Sequence, residues 1–577
     1  MNARNITFII LLVTLVISGS CRKDFLIVKP VGDLNKFVLA TDKGIDALLI
    51  GAYSMLDGVS SEVGGWESAS SNWVFGSIRG MEANFGSDAG DQSDKNSLQN
   101  FNEIPTQTYL NIKWKEVYEA ISRCNNAIVV INEAVSEANI SKTKAELYLR
   151  QARTLRGWYH FEAWRMWKMI PYIDEYADPS LVSNKDDIRS RIIADLAEGT
   201  SLPNNMGQIG RFNGTVAKVL LAKALMQMNH DYAGALPLLT DAKNGTKPDG
   251  SPIGLAPTYG EIFDIVNRNG IEAVYTVQYS VNDGSLGFNG GYGEVLNFPF
   301  KTGASPGGCC GFFQPTQEFV NSFRTSGGLP LLDFSYNLDP VKNDQDVAIT
   351  APYTPDTKPL DPRLDWSAGR RGIPYWDWGV HTGSDWIRNQ SYAGPYSPKK
   401  QVYKKSQTDQ YTDHSSWTTG FTANGYRMIR YADLLLLIAE CQIETGDLTG
   451  GRTNINLIRA RAANPAGFVK MPDNSNAGNY VINQYPAAGY PFDTRENAEL
   501  ALRMERKLEL GQEGHRWFDL NRWGITVTEL NRALTYEESM PWGRNLYFYA
   551  TVGPEDVTYP IPQRQIDLSN GILVQNR

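Results

Sequence analysis

A mainly α-helical fold of stacked helix pairs, overlaid by long irregular loops, is what this sequence predicts. Three observations predict it. Apolar residues recur at three- and four-residue steps in three separate regions. Two of those regions contain matching helix–turn–helix stretches. Between them, residues 59–108 and 282–425 are too rich in Gly, Ser, Asn, Pro and aromatic residues to continue a helix. At 577 residues the chain can build several cores or one elongated repeat array.

The elements follow in order. Residues 1–20 hold a short apolar run, Ile6 to Ile17, then Ser18-Gly19-Ser20, and Cys21 comes next. A bilayer span needs about 20 apolar residues, so the run reads as a cleaved export signal. A Cys directly after the small residues reads as the lipidated first residue of a bacterial lipoprotein; the alternative is a plain secretion signal with an incidental Cys. The mature chain divides into 21–270, helical with a first ligand loop, and 271–577, which carries the aromatic loop insertion. Helices are expected over Gly44–Leu56 and within Trp114 to about Trp167, where Trp114, Val117, Tyr118, Ile121, Cys124, Ile128 and Ile131 line one face. The next region, Asp186–Ala242, contains Ala222 followed seven positions later by Asn229. The third, from Tyr426, contains Ala439 followed seven positions later by Gly446. A small residue at a helix crossing, then a tight turn and a second helix, is the layout of a tetratricopeptide-type pair, which buries its apolar face only against neighbouring pairs. Ile271–Tyr279 reads as a short strand.

Composition narrows the function. A net charge of −8 without a basic block argues against nucleic acid. The chain lacks CxxC, HExxH and GxxxxGK[ST] patterns, so zinc chemistry and nucleotide binding lack their usual carriers, and neither metal nor cofactor is expected. Five cysteines are too few for a disulfide framework. The adjacent Cys309 and Cys310 could form a strained vicinal ring offering a flat apolar contact, but neighbouring cysteines rarely meet disulfide geometry and two thiols are the expectation.

The candidate ligand residues come from aromatic rings in loops. Trp376, Trp378 and Trp386, with Tyr375, fall close together in Gly/Pro-rich sequence beside Trp366, Tyr392 and Tyr396. Rings on loops stack on the apolar faces of sugars while neighbouring polar groups bond the hydroxyls; the competing reading is that they pin a long loop to the helices. The 59–108 loop offers the same mixture in Trp66, Asn72, Trp73, Arg79, Asp88, Asp91 and Gln92. Its carboxylates do not have the spacing of an EF-hand. Between Arg503 and Gly524, Glu513, His515 and Asp519 suggest acid–base chemistry, as in a surface glycoside hydrolase. Their interleaving with Leu508, Leu510, Trp517, Phe518 and Leu520 instead predicts a buried ion-pair network that locks a helix end.

These pieces occur together in one family. The start CRKDFL (21–26), Trp73-Val74-Phe75-Gly76 leading to Asp91-Gln92, LRQARTLRGWYHFEAWRMW (149–167) and GRFNGTVAKVLLAKALM (210–226) run in order. They are followed by Asp361-Pro362-Arg363-Leu364, YRMIRYADLLLLIAE (426–440), Asn456-Leu457-Ile458-Arg459-Ala460-Arg461, ERKLELGQEGHRWFDLNRWG (505–524) and YPIPQRQIDLSNGILVQN (559–576). The chain closely resembles the SusD/RagB family of surface lipoproteins from Bacteroidetes-type glycan uptake systems. The resemblance implies a tetratricopeptide-like scaffold and non-catalytic capture of oligosaccharide at the cell surface. It also implies a lipid anchor in the outer membrane and a SusC-like TonB-dependent transporter as partner, with this protein as its lid. The alternatives are the hydrolase and a tetratricopeptide-type protein-interaction scaffold without a small ligand.

Overall fold

The computed structural model describes residues 36–60, 64–301 and 305–577. The expected export signal and Cys21 lie outside them. Long helices dominate: α1 (Asp42–Ser54), α2 (Thr108–Ser136), α3 (Lys142–Trp167), α4 (Arg189–Glu198), α5 (Gly214–Asn229) and α6 (Tyr232–Lys243) precede the large loop insertion. After it come α7 (Tyr431–Glu444), α8 (Leu448–Ala462), α9 (Arg495–Leu510), α10 (Arg516–Arg522) and α11 (Thr526–Glu538). Each of α1 to α6 packs on the next, α6 packs on α7, and α7 carries α8 and α9, so the helices form one continuous stack across the insertion. The structure is the mainly helical, pair-built architecture the sequence predicts.

Side-chain caps set where the helices begin. Thr41 accepts from the Gly44 N–H at 3.2 Å, Ser141 from Lys144 at 3.3 Å and Asn213 from Val216 at 2.9 Å, each satisfying an otherwise orphan donor. The α5–α6 and α7–α8 turns are built alike. His230 and Gly446 take left-handed backbone (φ 50° and 93°), and Asp231 and Asp447 then cap Gly234 and Gly450, both at 2.8 Å. The structural match therefore pairs His230 with Gly446, one position away from the Asn229–Gly446 match of the sequence pattern.

Strands are short. Residues Ala273–Tyr275 pair antiparallel with Ile429–Arg430, which fastens the start of the insertion to its end beside α7. Ala83–Gly86 pairs with Phe312–Pro315 and joins the first loop to the second. The largest core cluster draws Trp73, Trp167 and Leu220 from before residue 271 and Trp517 and Tyr559 from after it.

Charges in α9 tie scaffold to insertion. Glu509 meets Arg461 at 2.6 Å, Arg430 at 3.0 Å and Arg363 at 3.1 Å, while Glu505 meets Arg363 at 2.6 Å and Arg459 at 3.0 Å, all fully buried or nearly so. Arg506 joins Asp519 at 2.7 Å and Asp433 at 3.0 Å. The next residues must then pass close to the first loop. An added Cβ at Gly514 (φ 80°) would lie 1.8 Å from the Ser71 carbonyl, so only glycine fits there.

Candidate functional site

Half of the sequence-predicted ligand residues belong to the interior. Trp73 is 1% exposed, donates from Nε1 to the Gly293 carbonyl at 2.8 Å and packs edge-on against Phe85 and Phe313. Asn72 is buried and donates to Glu162 at 3.1 Å. Arg79 is buried over Phe101, paired with Glu103 at 2.6 Å and Asp556 at 3.1 Å. Tyr375 donates to the Pro398 carbonyl from a fully buried position, and Trp386 packs on Tyr375 and His381. None of these five offers a surface to a ligand. The physical reason is that an insertion with little secondary structure needs its own core, and Phe298, Tyr375, Trp386, Val402 and Tyr403 form it. Trp376 and Trp378 lie half-buried against that core, with Nε1 atoms donating to the carbonyls of Lys399 (3.4 Å) and Tyr403 (2.9 Å). They brace the loop that carries them.

The other predicted residues reach the surface in two places. Asp88 and Asp91 flank Arg388, whose Nε lies 2.7 Å from Asp88 and whose Nη1 lies 2.5 Å from Asp91 and 2.9 Å from Ser87 Oγ. The side chain of Arg388 is about a third exposed, at 34%, and its guanidinium lies over the Phe300 ring. Lys95 beneath them bonds the Asp91 carbonyl, and burial pulls its pKa down to about 8. This is an open clamp of mixed charge.

Trp66 begins an aromatic arc. Its ring meets Tyr292 edge-on at 5.9 Å, Phe288 meets Tyr292 at 5.6 Å, Tyr292 stacks on Phe421 at 5.4 Å and Trp417 stands perpendicular to Phe421 at 5.7 Å. Trp417 is 60% exposed and Phe288 51%. Tyr292, Phe288, Trp417 and Phe421 were absent from the sequence-predicted set. For the two exposed rings, Trp417 and Phe288, the signal that could have found them is a setting in small polar residues. Trp417 stands alone in Ser415-Ser416-Trp417-Thr418-Thr419 and Phe288 in Gly287-Phe288-Asn289-Gly290, whereas clustered rings bury one another.

A third element lies between clamp and arc. Gly307 accepts from Thr418 Oγ1 at 2.6 Å, next to Trp417, and Gly311 accepts from the Ser87 N–H at 2.6 Å. An added Cβ at Gly311 would lie 3.2 Å from the Phe300 β-carbon and 3.5 Å from that of Arg388. Between those glycines Cys309 and Cys310 form a disulfide, which replaces the two thiols expected from the sequence.

Beneath the arc, carboxylates are desolvated. Burial raises Asp57 to about 8 and Glu116 to about 7, and also raises Glu294. Ser60 donates to Glu116 at 3.0 Å, the Val59 N–H to Asp57 at 2.8 Å and the Tyr279 hydroxyl to Glu294 at 3.2 Å. The suspected acid–base residues behave differently. Glu513 is held below the ordinary carboxylate range by Arg430 and Lys400, each at 2.7 Å. Asp519 is held at about 2 by Arg506 and Arg522. Neither is a proton donor near neutrality. Among the described residues no cluster of three or more His, Cys, Asp or Glu is arranged to hold a metal ion.

Comparison with known proteins places the architecture. The model of the SusD family matches residues 271–577, more than half of the chain. The chain belongs to the SusD family. A curated relative, SusD-like protein P38 of Formosa agariphila, is 22% identical over 453 residues, covering 75% of this chain and 76% of that protein. Among solved SusD-like structures, surface glycan-binding protein A from Bacteroides thetaiotaomicron in complex with laminarihexaose is 20% identical, with a TM-score of 0.64 over 93% of this chain and 99% of that one. A SusD-like protein from Bacteroides fragilis is 18% identical, with a TM-score of 0.65 over 93% and 97%. At such identities the likeness establishes the fold, which for this SusD-family chain extends well beyond the matched C-terminal part.

Proposed function

We propose that this protein is a cell-surface glycan-binding lipoprotein that captures oligosaccharide without cleaving it and passes it to a SusC-like TonB-dependent transporter, over which it acts as a lid. The observation that carries the reading is the solvent-open arc of Trp66, Tyr292, Phe288 and Trp417 beside the Arg388–Asp88–Asp91 clamp. Aromatic faces suit the C–H faces of sugar rings, and the clamp supplies donors and acceptors for hydroxyls. Laminarihexaose held by a structurally similar protein supports an oligosaccharide over other neutral ligands. The ion-paired state of Glu513 and Asp519 argues against the hydrolase alternative.

Tethering through a lipid on Cys21 at the outer membrane belongs to the same proposal; no described helix is long and apolar enough to cross a membrane. The test uses soluble protein lacking residues 1–21. Retardation in glycan-containing native gels, without release of reducing ends, is expected; release of reducing ends, or no retardation by any glycan in a broad panel, contradicts the proposal. For the partner, tagged full-length protein should co-purify a TonB-dependent transporter from solubilised outer membranes. Cys21→Ala should release or mislocalise the protein while leaving soluble glycan binding intact.

A further inference from the structure

The Cys309–Cys310 disulfide occupies the gap between the two parts of the loop face, and it is poorly placed to serve as a staple. A cross-link stabilises mainly by closing a long loop in the unfolded chain, and this one joins neighbours. The remaining described cysteines, Cys124 and Cys441, are buried and free, so among the described residues the bond belongs to no wider framework. Its setting is well fixed instead. Besides the Thr418 bond, the Gly307 N–H donates to the Tyr403 hydroxyl at 3.2 Å, and that hydroxyl donates to Thr419 at 2.8 Å, which anchors the near end beside the arc. The far end is held where the Gly311 N–H donates to the Phe298 carbonyl at 2.9 Å and Gly311 abuts Phe300 and Arg388. Cys310 is 7% exposed and packs into the core, while Cys309 is only partly buried.

Resting on the oligosaccharide-binding reading, we propose that this disulfide receives the apolar face of one sugar residue, between the residues held by the aromatic arc and those bonded by the Arg388 clamp. The partly exposed Cys309 side of the bond, backed by the buried Cys310, offers a compact, polarisable surface with no hydrogen-bond donor. The flanking residues 307, 308 and 311 are glycines and add no side chain of their own beside it. A pair of thiols in the same place would add two rotating S–H groups and lose the fixed surface.

The test is protection. Soluble protein lacking residues 1–21 is treated with a trialkylphosphine, alone and with a saturating amount of the oligosaccharide bound most tightly in the panel, laminarihexaose being the first candidate. In this reaction the phosphine becomes its oxide with oxygen from water, the S–S bond breaks, and the two sulfurs take up two protons as thiols. Alkylation and mass spectrometry follow the appearance of those thiols. The proposal expects bound oligosaccharide to slow reduction severalfold. The double variant Cys309→Ser/Cys310→Ser should bind the same oligosaccharide about tenfold more weakly when measured below its melting temperature. An unprotected disulfide overturns the proposal whether or not the variant folds, as do two alkylatable thiols at these positions in untreated protein. Oligosaccharide bound without protection defeats this inference alone, whereas absence of any glycan binding by the oxidised protein defeats the oligosaccharide reading and this inference with it.

Discussion

Helix α9 with its surroundings and the loop face are both dense in charges and rings, and the protein uses that density in opposite ways. Around α9 the buried carboxylates Glu505, Glu509, Glu513 and Asp519 each meet a cation. Glu509, Glu513 and Asp519 are buried yet stay ionised because arginines and a lysine outweigh desolvation. Beneath the aromatic arc, Asp57 and Glu116 are desolvated without such compensation and are pushed up to about 8 and 7. Rings diverge similarly, with Trp73 and Trp517 closed into the core and Trp417 and Phe288 open to solvent. The difference teaches that residue type does not separate architecture from recognition in this chain; satisfaction of each group by its neighbours does.

Four experiments would break or sharpen that contrast. The largest effect is expected at Glu509. Glu509→Ala takes one shared carboxylate from Arg363, Arg430 and Arg461, which keep Asp361, Glu505, Glu272 and Glu513 but are left with excess buried positive charge, and should cost about 3–5 kcal/mol in urea unfolding; a loss under about 1 kcal/mol would mean the network is not structural. Trp73→Ala removes a core ring and should cost about 3–4 kcal/mol. Below its melting temperature it should bind glycan with unchanged affinity, and a selective loss of binding would return Trp73 to the ligand face. Arg388→Ala opens a partly exposed clamp and should change stability by under about 1 kcal/mol, while calorimetric glycan affinity falls severalfold. The fourth experiment concerns pH. Asp57 holds its proton more tightly in the folded chain than at its ordinary value of 3.8, so its contribution to stability is full below about pH 4 and is lost as pH rises towards 8. Asp57→Asn should therefore melt higher than the parent at pH 8 and no higher at pH 4; equal melting temperatures at pH 8 would remove Asp57 from the account.

Much of the helical scaffold was legible because it rests on local signals. The 3.6-residue periodicity of α2 and α3 and the paired turns before α6 and α8 are written in neighbouring residues. The interleaved charges and apolar residues of 503–524 also announced a buried network, since so many charges among leucines and tryptophans need partners. The loop face was less legible. Whether Trp386 or Trp417 faces water depends on contacts across the insertion, such as Tyr375 against Trp386, that no short-range pattern encodes. Aromatic density pointed to the insertion's own core, while the open rings stand apart in Ser/Thr/Gly sequence. The clamp was half visible: Asp88 and Asp91 were in the predicted set, but Arg388 lies some 300 positions away (297 from Asp91). Cys309–Cys310 was visible as a pair, and its bonded state came only with the fold.

The most direct test of the central claim is a binding isotherm of Trp417→Ala beside Trp376→Ala/Trp378→Ala, each with the oligosaccharide selected from the panel. Trp417 is 60% exposed and closes the arc, so its loss should weaken binding at least about tenfold, roughly 1.4 kcal/mol, with an unchanged melting temperature. The double variant removes two braces from the insertion core and should lower the melting temperature more than the affinity. Full affinity in Trp417→Ala, with binding abolished in a stably folded Trp376→Ala/Trp378→Ala protein, would contradict the account and move the ligand to the other side of the insertion.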